Sequence, residues 1–169
     1  MSRTPRMISL ALALTVLDQA SKAAARQWLQ SGQPVPVLGD DFFRLTLIEN
    51  PGIAFGLRFA HPTFLLIVGL FASLLLFFYL VNLCRKDSPL RFPVALLLTG
   101  AFGNSIDRII FGRVTDFLDF DFPDFIMERW PVFNVADSCV TVGMTLLIVL
   151  SLFFVHSPSH EVSEPAAQN

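Results

Sequence analysis

The chain has 169 residues, of which 53% are hydrophobic and 15% charged, with mean hydropathy +0.59 and a formal net charge of −2. A soluble domain of this length carries about a quarter of its residues as charge, so a soluble fold is excluded. No basic tract suggests nucleic acid, and the sequence reads as a single polytopic membrane domain over residues 1–156.

The first apolar stretch runs from about Met7 to Leu29. Arg3 and Arg6 precede it, and Ala23-Ala24-Ala25 resembles a signal-peptide cleavage site. Asp18 and Lys22 interrupt the stretch, however, and it stays largely apolar to Leu29, so a retained span is expected. Asp18 and Lys22 are four apart and face the same way on a helix, acid before base. Residues 30–62 form a long connection. Phe42 to Glu49 has the period-2 alternation of a strand. Asn50-Pro51-Gly52 reads as a turn, after which Ile53-Ala54-Phe55 can return as a second strand. A small sheet or hairpin at the membrane surface is expected, able to rest on lipid or to hold an extended peptide by strand addition.

Phe64 to Leu83 has no charge over 20 residues, enough to cross a hydrocarbon core of about 30 Å, and reads as scaffold. The short loop that follows holds Arg85, Lys86 and Arg91, a density of positive charge that marks the cytoplasmic side and puts both termini there. A third span covers about 92–111 and a fourth about 132–155. The polar tail 157–169 reads as disordered. Cys84 and Cys139 lie in or beside apolar segments and read as buried small hydrophobes. The fold class is an all-α membrane protein of four transmembrane helices with a small β element in the first outer loop.

Three spans bring polar residues to one depth near the outer interface. Asp18 and Lys22 lie in the outer half of the first. Asn104, Asp107 and Arg108 stand about 24 Å along the third, at i, i+3 and i+4 on one face. Asn134 and Asp137 open the fourth, and Asp116 directly follows the third. Ionisable groups at such depth are expensive and mark function. Two carboxylates sharing a site hold one proton between them, so the anion can deprotonate water while its partner polarises a carbonyl. Arg108 and Lys22 can orient the pair, and Asn104 or Asn134 can hold a carboxylate or an oxyanion. This is an aspartyl hydrolase pattern. His61, His156 and His160 fall outside the cluster, which speaks against a metal site, and neither Ser105 nor Ser138 has a nearby His. A proton relay would spread its ionisable groups across the membrane, but the inner halves of the spans are bare. A purely structural partner leaves the cluster unexplained. Residue types and spacing alone leave Asp116, Asp119, Asp121 and Asp124 open as the second carboxylate.

The blocks Leu17-Asp18-Gln19 with Ser21-Lys22, Asn50 with Gly52, Ala54 and Phe55, Gly103-Asn104 with Asp107-Arg108, Gly112 with Val114, Asp116 and Phe117, and Phe133-Asn134 with Ala136-Asp137-Ser138 run in order. In these blocks the sequence resembles the lipoprotein signal peptidase (signal peptidase II) family of bacterial membrane aspartyl peptidases. The resemblance implies a catalytic pair at Asp116 and Asp137. It also implies substrate-binding or supporting roles for Asp18, Lys22, Asn50, Gly52, Asn104, Asp107, Arg108 and Asn134. The implied activity removes the signal peptide from prolipoproteins just before a diacylglyceryl-modified Cys, with no metal or cofactor. The implied setting is the inner membrane, with the site near its outer face. Membrane lipids, globomycin-type inhibitors and a monomeric state complete the expectation. Pro51, Ile53 and the length of Phe120 to Arg129 depart from the family pattern, and all lie in outer loops.

Overall fold

The computed structural model describes residues 3–39, 42–54, 57–58, 61–121 and 129–155. Expectations that fall on Phe55, Asp124 and the tail 157–169 lie outside the described residues. Among the described residues, four helices are long and apolar enough to cross a membrane: α1 (Arg3–Trp28), α2 (Pro62–Arg85), α3 (Arg91–Phe111) and α4 (Val135–Val155). Five strands accompany them: β1 (Val35–Leu38), β2 (Phe43–Asn50), β3 (Ile53–Ala54), β4 (Leu57–Arg58) and β5 (Val114–Phe120).

The helix ends follow from local chemistry. His61 caps α2, its Nδ1 accepting the Thr63 N–H at 3.3 Å, and Pro62 occupies the first position, where no N–H is needed. Gly112 ends α3 in the left-handed region at φ +70°, a conformation most side chains resist. α4 begins three residues later than the apolar run suggests. Phe133 is still paired with Leu118 of β5, and Asn134 then caps the helix.

α3 is the hub, with α1, α2 and α4 packed around it. α1 turns one stripe inward at Ala11, Thr15, Asp18, Lys22 and Ala25, spaced alternately by four and three. Helices in lipid gain no hydrophobic drive toward one another, so close backbone approach and polar contacts hold them. A Cβ at Gly100 would lie 2.6 Å from the Ala136 carbonyl oxygen, and one at Gly103 would lie 2.7 Å from Asp18 Oδ2. Away from these contacts, Leu80, Leu83, Cys84, Val94 and Ala95 close the α2–α3 hairpin. Cys84 and Cys139 are free, buried thiols.

The sheet has the order β1-β2-β5, antiparallel throughout. It packs against α1 and α3 at the end where those helices finish and α4 begins. β2 and β3 do not form the hairpin that the turn at Asn50-Pro51-Gly52 suggests. β2 pairs with β1 at Phe43–Leu45 and with β5 along most of its length, and the chain beyond the turn closes on β4.

Candidate active site

The first turn of α4 is the centre of the site. Asn134 Oδ1 accepts the Asp137 N–H at 2.9 Å, and Asp137 Oδ2 accepts the Asn134 N–H at 3.2 Å. This is a reciprocal capping box with Asp as its acid. A second helix contributes to it, since Asp18 Oδ1 of α1 accepts the Ala136 N–H at 2.9 Å. The orphan donors of a helix start are thus satisfied from two directions, which fixes where Asp137 stands.

Asn104 and Asn134 link this turn to its surroundings. Asn104 Nδ2 donates to Asp137 Oδ1 at 2.8 Å, and Asn134 Nδ2 donates to Asp116 Oδ1 at 2.7 Å. From β2, Asn50 Nδ2 donates to Asp116 Oδ2 at 3.0 Å, while Asn50 Oδ1 accepts the Gly52 N–H at 2.9 Å. All four oxygens of Asp116 and Asp137 therefore accept hydrogen bonds from neutral groups. Asp116 is buried and Asp137 half-buried.

Beneath the pair lies a charged layer. Lys22 Nζ is 2.9 Å from Asp18 Oδ2 and 3.5 Å from Asp107 Oδ2, and all three side chains are inaccessible to solvent. The same ammonium donates to Asn104 Oδ1 at 2.9 Å. Asp107 Oδ2 also accepts the Thr115 N–H at 2.8 Å, which ties α3 to the strand residue preceding Asp116. Arg108 is half-buried, and its Nη1 donates to the Asn104 carbonyl at 3.3 Å.

The buried carboxylates thus fall into two kinds. Asp18 and Asp107 have Lys22, and Asp119 has Arg44 and Arg129. Among the described residues, Asp116 and Asp137 have no Lys or Arg within ion-pair distance. Burial first, and then the Asp137 carboxylate, push the Asp116 carboxyl up to about 7 against the pull of Asn50, Asn134 and Lys22. A buried carboxyl whose proton is lost only near neutral pH suits proton transfer.

The structure brings Asp18, Lys22, Asn50, Asn104, Asp107, Asp116, Asn134 and Asp137 into one hydrogen-bonded network, with Gly52 at its edge through Asn50 and Arg108 through Asn104. Arg26 belongs to it as well. Its Nη1 donates to Thr115 Oγ1 at 2.7 Å, lies 3.9 Å from Asp107 Oδ1, and its guanidinium sits 4.3 Å over the Phe111 ring. Its spacing from Asp18 and Lys22, eight and four residues, continues their stripe and was the available signal. Asp119, one of the acidic residues that spacing leaves open, is 2% exposed and paired with two arginines.

The packing at Gly103 gives a first prediction. Gly103→Ala forces its new methyl against Asp18 Oδ2 and so displaces the group that caps α4. A loss of about 1–3 kcal/mol in stability is expected, read as a lower melting temperature in detergent micelles. An unchanged melting temperature would show that Asp18 has room to move.

Comparison with known proteins shows the family. The family model described as signal peptidase (SPase) II matches residues 10–153. The lipoprotein signal peptidase of Pelodictyon phaeoclathratiforme is 37% identical over 158 residues, covering 89% of this chain and 94% of that protein. That of Moorella thermoacetica is 43% identical over 141 residues, covering 82% and 87%. A solved structure of a bacterial membrane enzyme superposes with a TM-score of 0.78 at 27% identity over 95% of each chain. A second superposes at 0.71 with 30% identity over 88% of this chain and 92% of that one. Helices able to span a membrane, a site built where three of them meet a sheet, and a family match across nearly all of the chain make this a multi-pass membrane peptidase of the signal peptidase II family.

Proposed function

We propose that the chain is an aspartyl endopeptidase that removes the signal peptide from diacylglyceryl-modified prolipoproteins, cutting just before the lipid-modified Cys, with Asp116 and Asp137 as the catalytic pair. The observation that carries the assignment is the contrast in partners. Asp18, Asp107 and Asp119 have cationic neighbours at ion-pair distance, whereas Asp116 and Asp137 are held by asparagines and backbone. A carboxylate tied to Lys or Arg stays ionised and is a poor base. Two without such partners share a proton.

The pair works as one unit with one proton. The ionised member takes a proton from water as the water oxygen bonds to the scissile carbonyl carbon. The protonated member gives its proton to the carbonyl oxygen, forming a neutral gem-diol. As the C–N bond breaks, the leaving nitrogen takes the proton first removed from water, and a diol hydroxyl returns its proton to the other carboxylate. Asn104 and Asn134 hold the carboxylates in place. Arg108, half-buried beside Asn104, is the cation available to orient the substrate's backbone carbonyls.

Residues 1–156 act as one domain, a monomer in the bacterial cytoplasmic membrane. The dense charge of Arg85, Lys86 and Arg91 at the α2–α3 turn supports cytoplasmic termini and an outward-facing site. Acyl chains of the substrate stay in lipid while its peptide enters beside α3 and α4 and pairs along the sheet. The test is a cleavage assay in detergent with a diacylglyceryl prolipoprotein and its unmodified precursor. Cutting of the modified substrate alone is expected, in the presence of chelator and blocked by globomycin. Equal cutting of both would refute the lipid requirement.

The shared proton sets a pH dependence. Asp116 is raised to about 7, so the singly protonated pair is lost as pH climbs through that region. Turnover is expected to fall about tenfold for each pH unit above the upper limb. A rate level from pH 6 to pH 9 would contradict the shared proton.

A further inference from the structure

Three residues beyond Asp116 on β5, Asp119 is held from two sides. From β2, the Thr46 hydroxyl and, at 3.4 Å, the Arg44 Nε donate to Oδ2. From the segment that leads into α4, the Arg129 Nε donates to Oδ1. Burial opposes the charge, but the bonds from Thr46 and Arg129 outweigh it and hold the carboxyl below its ordinary value. The surroundings of Asp119 therefore favour its ionised form. Buried ion pairs contribute little net stability against well-packed apolar substitutes, so stability alone is a weak reason for one here.

Its place in the fold supplies a better reason. Asp119 joins the three pieces that frame the dyad: β2, which carries Asn50; β5, which carries Asp116; and the stretch from Arg129 through Phe133 and Asn134 into α4. These pieces also meet elsewhere. β2 pairs with β5 through a register shift between Leu45 and Ile48, which separates the Asp119 contacts from the Asn50–Asp116 bond. On its other edge β5 meets the chain before α4 at the bridge Leu118–Phe133, where Phe133 O accepts from the Phe117 and Leu118 N–H groups and Phe133 N–H donates to Leu118 O, and through Asn134 Nδ2 to Asp116. The bulge between Leu45 and Ile48 permits β5 to bend against β2. A third attachment, beyond both, removes that freedom.

We infer that Asp119 is a positioning residue for hydrolysis: through Thr46 and Arg129 it sets how Asp116 on β5 meets Asp137 on α4, without touching the reacting atoms. This rests on the dyad assigned above. Asp116 is faced by Asp137 from α4, Lys22 from α1, Arg108 from α3 and the neutral Asn50 from β2. If β5 swings away from α4, the repulsion from Asp137 weakens and Asp116 releases its proton at lower pH.

The experiment compares kcat, KM and the pH–rate profile of full-length wild type, Asp119→Asn, Thr46→Val and Thr46→Ser, with Asp116→Asn and Asp137→Asn alongside. Each is normalised to folded protein. Asp119→Asn is expected to lower kcat by about 10- to 100-fold, as small misplacements of a catalytic group do. KM should stay within about threefold, and the upper pH limb should move to lower pH. Thr46→Val, which removes one donor with little change of shape, should give a smaller effect in the same direction, and Thr46→Ser should restore wild-type behaviour. Where Asp119→Asn does not fold, the Thr46 pair decides. Activity lost only in proportion to folded protein, with the pH limb unmoved, overturns the proposal, as does a wild-type rate in both Asp119→Asn and Thr46→Val. Should Asp116→Asn or Asp137→Asn remain active, the dyad assignment itself fails, a separate and recognisable outcome.

Discussion

Replacing either Asp116 or Asp137 by Asn is expected to lower turnover by about 10^4-fold or more, with the fold retained. Asn has the shape of Asp but can neither take a proton from water nor pass one to a carbonyl oxygen. The two changes should not add. Once one carboxyl is gone no shared proton exists, so the double variant should be about as slow as either single one. The surroundings favour a folded product. Asp137 sits at the third position of α4 in a capping box that also uses Asn134 and Asp18, so Asn there still accepts one of its two bonds. Initial rates at saturating substrate, with folding checked by melting temperature, measure the effect. A loss below about tenfold at either position would remove that residue from the chemistry.

The second large effect is on stability, at Lys22. Its ammonium is the buried cation between Asp18 and Asp107, and it also orients Asn104. Lys22→Ala leaves two buried carboxylates with reduced compensation. Breaking a buried pair from one side costs about 3–5 kcal/mol, so poor yield and a much lower melting temperature are expected. Per folded molecule the variant should still cut, because Asp116 and Asp137 keep their asparagine donors. It should exceed either dyad variant in rate. A Lys22→Ala protein that folds as wild type yet is as inactive as Asp116→Asn would place Lys22 in the catalytic step.

The helices were legible because a charge-free run such as Phe64 to Leu83 has one reading in a chain this apolar. The polar network was legible in part because helical spacing fixes which residues share a face. Spacing alone joins Asp18 with Lys22, and Asn104 with Asp107. β5 was hidden. It is buried along nearly its whole length, between β2 and the chain preceding α4, so Val114 to Phe120 has no alternation of buried and exposed positions. The partner of β2 was misread for a related reason, since a turn signal says that the chain reverses and not which edge is free. The choice among the acidic residues after α3 also could not come from local pattern. Asp116 and Asp119 differ in what lies across the fold from them, asparagines in one case and arginines in the other. Those partners arrive from β2 and from the start of α4, 10 to 75 residues away along the chain.

One measurement goes most directly to the central claim. Purified wild type, Asp116→Asn and Asp137→Asn, each shown to be folded, are incubated with a diacylglyceryl prolipoprotein in the presence of chelator, and the products are weighed by mass spectrometry. The account predicts a mature lipoprotein beginning at the modified Cys from the wild type alone. Cleavage at that bond by either Asn variant at a rate near that of the wild type would contradict it.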